Sequence, residues 1–194
     1  MDFNFSAHII LENERTLLKP LSRDDYELLL PIALQDSSLL QYSPAPVYSE
    51  ALLHQYIETA MADRQKQQRY AFIIFDKKAG QYAGSTSFAN ISNKDQRLEI
   101  GYTWLGKSFQ RTGLNRNVKW LMLQYAFEQL GFERVEFKTD ERNTASRTAI
   151  EKIGGKMEGI LRSHTVMHDG FRRNTVYYSI LRNEWESLKH TLLK

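Results

Sequence analysis

The fold turns on Leu98-Glu99-Ile100-Gly101-Tyr102-Thr103-Trp104-Leu105, which runs through Gly106-Lys107-Ser108-Phe109 into Gln110-Arg111-Thr112-Gly113-Leu114-Asn115. The part up to Leu105 is rich in branched and aromatic residues and alternates from Leu98 onward, which predicts a strand. From Leu114 the period changes: Val118, Leu121, Met122, Tyr125 and Ala126 recur at helical spacing, so a helix is expected to about Leu130, with Gly131 as its C-cap. Between them lies a cationic turn built around Gly113. No acidic residue falls between Glu99 and Glu128, whereas Lys107, Arg111, Arg116 and Lys119 all do. A helix start offers unpaired N–H groups and the positive end of the macrodipole, so the segment predicts an anion site for a phosphorylated cofactor.

The same stretch contains a competing motif. Gly101-Tyr102-Thr103-Trp104-Leu105-Gly106-Lys107-Ser108 satisfies G-x-x-x-x-G-K-[ST] letter for letter. That phosphate loop needs a compact turn whose Lys and Ser open the next helix. Here Tyr, Thr, Trp and Leu fill the interior and favour a strand, and the helix starts several residues too late. The context argues against nucleotide hydrolysis.

Working outward, Thr16–Leu21 is expected as a strand. Ser22-Arg23-Asp24-Asp25 opens a helix with Leu28, Leu29 and Ile32 on its inner side, its carboxylates serving as cap and dipole partners rather than catalysts. Gln41–Tyr48, with Pro44 and Pro46, is a loop, and Ser49 caps a helix to about Gln65. Arg69–Asp76, Gln81–Asn90 and Arg97–Leu105 form an antiparallel meander, because the turns between them are too short for a crossover. Arg134–Thr139 is another strand, and Asn143 caps a helix bearing Ala149, Ile150 and Ile153. Lys156–Met167 and Arg172–Leu181 pair about His168-Asp169-Gly170, and Asn183–Leu193 closes as an amphipathic helix. The expected fold class is mixed α/β (α+β): one domain over 1–194, a mostly antiparallel twisted sheet of about seven strands flanked by helices.

Composition narrows the function classes. The chain has 194 residues and no cysteine, which excludes thiolate nucleophiles and Cys-based zinc sites. A net charge of +3 is too small to argue for nucleic-acid binding. No apolar run approaches the ~20 residues needed to span a bilayer, and the start of the chain lacks a basic segment before an apolar core, so a cytoplasmic protein is expected. His164 and His168 share a strand face but stand roughly 13 Å apart, too far to chelate one ion; no metal is expected. Glu99 faces opposite Leu98 and Ile100, upstream of the cationic turn. It reads either as an exposed strand carboxylate or as a general base beside the cofactor's reactive end.

This arrangement resembles the GCN5-related N-acetyltransferase superfamily. Gln110-Arg111-Thr112-Gly113-Leu114-Asn115 is similar to its Q/R-x-x-G-x-G/A pyrophosphate signature. Within it, Leu98-Glu99-Ile100-Gly101-Tyr102, the Asn143-Thr144-Ala145-Ser146 helix start, Glu158-Gly159 and the Tyr-rich last strand resemble the branch of the ribosomal-protein alanine N-acetyltransferases. The resemblance covers most of Arg15–Trp185.

The resemblance implies acetyl-CoA as co-substrate, with its pyrophosphate on Gln110, Arg111, Thr112, Gly113, Leu114, Asn115 and Arg116, and its arm along Tyr102, Thr103 and Trp104. Asn143 would hydrogen-bond the arm and Ser146 would face the thioester. The implied reaction is direct attack by a primary amine of a protein N-terminus, an amino acid or a small molecule. Only a neutral amine attacks, which an α-amine of pKa near ~8 reaches more easily than a lysine near ~10.4. Glu99 would take the proton, a strand N–H near Tyr102–Trp104 would stabilise the oxyanion, and an acid would protonate the leaving thiolate. The chain departs from the superfamily here, because Ile150 stands where many members carry a tyrosine. Ser146, Tyr177 or Tyr178 are the candidate acids. Asn115 also replaces the small residue that usually ends the loop. A homodimer is compatible with this reading, and the alternative is a non-catalytic acyl-CoA-binding module of the same fold.

Overall fold

A computed structural model describes residues 1–193. Its strands are β1 (Leu11–Glu12), β2 (Thr16–Pro20), β3 (Arg69–Asp76), β4 (Gln81–Ser92), β5 (Arg97–Leu105), β6 (Arg134–Asp140), β7 (Lys156–Val166) and β8 (Arg172–Leu181). They make one eight-stranded sheet in the order β1-β2-β3-β4-β5-β6-β8-β7. Every neighbouring pair is antiparallel except β5 and β6. A parallel pair needs a long crossover. It is supplied by α3 (Leu114–Gln124), continued by a π-helical turn over Tyr125–Gln129.

The remaining helices are α1 (Tyr26–Ala33), α2 (Glu50–Gln65), α4 (Thr144–Lys152) and α5 (Arg182–Leu188). Two apolar clusters cover the two faces of the sheet. On one, Leu114, Val118, Leu121 and Met122 of α3, Ile150 of α4 and Trp185 of α5 pack over Tyr70, Phe72, Ile74, Leu98, Ile100 and Phe137. On the other, Leu29 and Ile32 of α1 and Leu53, Tyr56 and Ile57 of α2 pack over Ala71, Ile73 and Trp104. Burial on both faces explains why β3 reads as a nearly unbroken apolar run.

Several details differ from expectation, among them β4, which runs on to Ser92. β1 is an eighth strand whose two residues are too few to show a period. α5 ends at Leu188 rather than Leu193; the apolar pattern persists because Leu192 is still buried, but the chain there is in turns. Leu28 is 40% exposed, because a 3-10 turn over Arg23–Asp25 precedes α1 and leaves Leu29, Ile32 and Ala33 as the inner face. The carboxylates of that turn act structurally: Asp25 accepts from the Ser22 N–H and pairs with Lys19 at 3.0 Å.

Two irregularities shape the middle of the sheet. β5 and β6 pair only from Arg97/Arg134 to Glu99/Glu136, and beyond Glu99 the strands part. Opposite that opening β5 carries a bulge: Ser85 pairs with Trp104 and Ser87 with Gly101, so Tyr102 and Thr103 together face Thr86. Tyr102 takes a left-handed φ of 52°, which is costly for a side-chain-bearing residue. Gly84 on β4 makes room, because a Cβ there would lie 2.1 Å from the Trp104 carbonyl oxygen. The bulge flips the side-chain alternation. Leu98 and Ile100 point toward α3, whereas Tyr102 and Trp104 join Glu99 on the α2 face. The alternation from Leu98 had predicted a single face for all four, and the inserted residue overturns it.

Candidate active site

Beyond Glu99 strands β5 and β6 part, and each face of the sheet brings different chemistry to the gap. On the α3 side, β5 leads through a 3-10 turn over Lys107–Phe109 into Gln110–Asn115. Thus the G-x-x-x-x-G-K-[ST] match is a strand end and a turn, as its composition implied. The Gln110 side chain donates to the Leu105 carbonyl at 3.0 Å and the Thr112 hydroxyl to Phe109 at 2.7 Å, which fix the turn. Arg111 and Gly113 adopt left-handed φ of 60° and 86°. With the chain so turned, the N–H groups of Arg111, Thr112, Gly113, Asn115 and Arg116 find no acceptor among the described residues. Open space adjoins Gly113, where a Cβ would meet nothing within 4 Å. Arg111 and Arg116 are exposed and make no ion pair among the described residues. A pyrophosphate fits this concave, donor-lined, cationic helix start.

Asn143 and Ser146 stand on the same face at the start of α4, beyond the C-terminal end of β6. The Asn143 Oδ1 accepts from the Ser146 N–H at 3.0 Å, capping the helix and leaving its amide Nδ2 for another partner. The Ser146 side chain is half-buried. Beneath the bulge, Lys119 of α3 is buried and its Nζ donates to the Thr103 hydroxyl at 2.5 Å. Thr103 in turn shares a hydrogen bond with Thr86 at 2.7 Å. No carboxylate faces Lys119, and burial pushes its pKa down to about 7.

On the α2 side the site is made of side chains from four strands. Glu99 is 7% exposed. One oxygen, Oε2, takes both the Lys138 ammonium at 2.8 Å and the Asn90 amide at 2.7 Å. The other, Oε1, is left without a hydrogen bond yet is not sealed in, so it can accept from a substrate or a water. Burial alone would lower Lys138; Glu99 beside it, with Tyr177 and Glu136, holds it raised and therefore cationic. Tyr177 lies opposite Lys138 in the sheet, with the ammonium 4.9 Å from its ring centre. Tyr178 points the other way. It is fully buried, accepts from Arg147 Nε at 3.1 Å and donates to Glu151 at 2.9 Å, a structural role under α4.

Glu99, Tyr102 and Tyr177 thus share one face, while Arg111–Arg116, Asn143 and Ser146 share the other. Of the two histidines weighed as ligands, His164 bonds Thr175 at 3.1 Å, and no group of three or more metal-ligating side chains occurs among the described residues. Sequence reading missed Lys138, Asn90 and Arg69, all of which surround or adjoin Glu99. The alternation of β6, with Val135 and Phe137 in the core, places Lys138 on the Glu99 face and could have found it. A glycine inside β4, Gly84, was the available signal for the bulge.

Comparison with known proteins gives the family and the fold. A family model described as an acetyltransferase (GNAT) domain matches residues 15–156. YdaF of Bacillus subtilis (strain 168), which is named for ribosomal N-acetyltransferase activity, is 29% identical over 182 residues, covering 91% of this chain and 97% of its own. A GCN5-related N-acetyltransferase structure from Brucella melitensis superposes with a TM-score of 0.89 at 25% identity, covering 98% of this chain and 86% of its own. A Salmonella typhimurium acetyltransferase structure, described as modifying the N-terminal serine of ribosomal protein L7/L12, shares the fold with a TM-score of 0.78 at 19% identity, over 89% of this chain and 99% of its own.

Proposed function

This chain belongs to the acetyltransferase (GNAT) domain family and is an N-acetyltransferase; from that premise we propose that it moves the acetyl group of acetyl-CoA to the α-amine of a protein N-terminus or of a smaller amine, by direct attack. The observation that carries the reading is the parting of β5 from β6 just past Glu99, with an anion-binding helix start on one face and a carboxylate on the other. Acetyl-CoA supplies an activated thioester. The free N–H groups of Arg111–Arg116, with the Arg111 and Arg116 charges, hold its pyrophosphate. Tyr102, Thr103 and Trp104 border the unpaired edge of β5, and the Asn143 amide nitrogen would hydrogen-bond the arm of the co-substrate.

Glu99 removes the proton from the incoming amine through its free Oε1, directly or through one water. Lys138 and Asn90 hold the carboxylate in one rotamer while they occupy Oε2. Ser146, on the thioester side, or Tyr177, on the amine side, returns a proton to the departing thiolate. Tyr178 is withdrawn from that role by its two structural bonds. The names of the relatives support an N-terminal α-amine as acceptor, and so does the lower pKa of such an amine. A cytoplasmic location forms part of the same proposal, which calls for no metal.

Isothermal calorimetry with CoA, followed by thiol release from acetyl-CoA over a panel of amines and N-terminal peptides, tests the reading. Saturable CoA binding with amine-dependent release is expected. Absence of CoA binding overturns it, and binding without turnover for any amine favours the non-catalytic acyl-CoA module instead.

A further inference from the structure

Among the described residues six charged ones are buried: Asp25, Asp76, Glu99, Asp140, Lys119 and Arg69. The four carboxylates each meet a cation, Lys19, Arg15, Lys138 and Arg142 respectively. Lys119 can shed its proton. A guanidinium cannot, so Arg69 carries a permanent charge. It is 2% exposed and forms no ion pair among the described residues. Its Nε donates to Ser87 at 2.8 Å, and its plane lies between Tyr102 at 3.9 Å and Tyr56 at 4.6 Å from the ring centres. The stacking fixes its orientation and leaves the edge for hydrogen bonds. At that edge Nη2 is buried without a partner, and Nη1, which also has no hydrogen bond, is not sealed in and can donate to a ligand. Leaving such a donor empty is costly unless a ligand fills it.

The surroundings indicate where the ligand comes from. Arg69 lines a cavity of about 390 Å³ with Asp63, Gln68, Asn90 and Tyr102. Asn90 is also the residue that hydrogen-bonds Glu99. Across the sheet Arg69 stands opposite Ala89, and Ala89 opposite Glu99. At about 4.8 Å per strand, Arg69 and Glu99 therefore rise from the same face with backbones about 10 Å apart. Between them the floor is only the methyl group of Ala89.

We propose that Arg69 is the acceptor-recognition residue of this enzyme and that the acceptor is a primary amine carrying a carboxylate, bound with the amine at Glu99 and the carboxylate at Arg69. The proposal rests on the acetyltransferase reading and adds to it a substrate class. The carboxylate has two sources, the α-carboxylate of a free amino acid or an acidic side chain next to the amine in an N-terminal peptide. Tyr102 has a second task here: placed on this face by the bulge, it covers the guanidinium and forms the wall of the acceptor cavity.

The test uses matched acceptors: an amino acid against its amide, and an N-terminal tripeptide amide with Glu against one with Gln at the second position. Thiol release gives kcat and KM for wild type, Arg69→Gln and Arg69→Lys. One pair is expected to show a preference of about tenfold or more for its carboxylate member in kcat/KM, and which pair does so identifies the source. Arg69→Gln should erase that preference by raising KM about tenfold or more, with kcat at saturation and CoA affinity unchanged; Arg69→Lys should recover part of it. If neither pair is distinguished by wild type, or if Arg69→Gln retains the preference, the proposal is overturned, and this holds even where a variant folds poorly because wild type alone is decisive. Saturation-transfer NMR of the four acceptors with the CoA-bound protein separates the two readings. No turnover of any amine defeats the acetyltransferase reading, whereas loss of carboxylate-dependent binding defeats only the assignment of Arg69.

Discussion

The two faces of the opening in the sheet solve their recognition problems with different materials. On the α3 face, five of the six consecutive residues Arg111–Arg116 present main-chain donors, and the side chains mainly brace the turn. On the α2 face, Arg69, Asn90, Glu99, Lys138 and Tyr177 arrive from five strands, and only the pairing register brings them together. A main-chain site depends on local conformation and tolerates most side chains that keep it. A side-chain site depends on distant packing and on each chemical group. The first face is thus suited to a ligand common to a whole family, the second to one that differs between members.

The largest effect should come from breaking the main-chain face. Gly113→Glu places a carboxylate on the cradle at a φ of 86° that a side chain resists. CoA affinity by calorimetry should fall by about 100-fold or more, with the circular-dichroism spectrum unchanged. An unaltered affinity would show that the pyrophosphate does not lie on this loop.

Next comes the other face. Glu99→Gln keeps the shape and the Asn90 contact but removes the proton acceptor. We expect kcat to fall by about 10²-fold, within the usual range for a general base, with CoA affinity kept within about twofold. The pH–rate profile should change as well; if it does not, Glu99 is not the base. A double loss, of CoA binding and of kcat together, would break the comparison itself by showing that the two faces are not separable.

Tyr177→Phe and Ser146→Ala sharpen it further. Whichever residue serves as the acid should lower kcat by about tenfold, measured at saturating acetyl-CoA and amine. Tyr178→Phe should leave kcat in place and instead cost about 1 kcal/mol of stability in urea melts, because its hydroxyl bonds only Arg147 and Glu151.

The same contrast governs what was legible in the sequence. β3 and β5 could be read to the residue, because turn signals bound them and their composition is that of strands. The anion loop could be read too, since a glycine, two arginines and a following helix are adjacent in the chain. Glu99 could be placed only as far as its face. Its partner Lys138 lies 39 residues on, and no local pattern announces which strand will lie beside β5. Arg69 reads as an ordinary charged strand end; its burial follows from α2 packing Tyr56 over it and from the bulge turning Tyr102 back. That bulge broke strict alternation, the rule by which the faces of the β5 side chains had been read.

Lys119 gives the last and smallest effect on activity, and it tests whether the main-chain face needs its buried amine at all. Its pKa in the folded protein, about 7, lies below its value of 10.5 in the unfolded chain. Between those two pH values the unfolded chain binds more protons, so stability should rise with pH through this window. The contribution is complete above 10.5 and lost as the pH falls through about 7. Lys119→Met removes the titration and fits the apolar surroundings of Val118 and Met122, at the loss of one hydrogen bond to Thr103. At pH 7 a gain of about 1–2 kcal/mol is expected, or about 2–6 °C in Tm, as for other buried charges exchanged for apolar groups. Urea melts at pH 6.5 and 9.5 check the sign: wild type should become more stable at the higher pH, and the variant should lose most of that slope. Since the hydrogen bond from Lys119 to β5 ends on the Thr103 hydroxyl, kcat and CoA affinity should stay within about twofold. A large fall in kcat would instead mean that the amine holds the bulge, and with it Tyr102, in place, making the two faces parts of a single device.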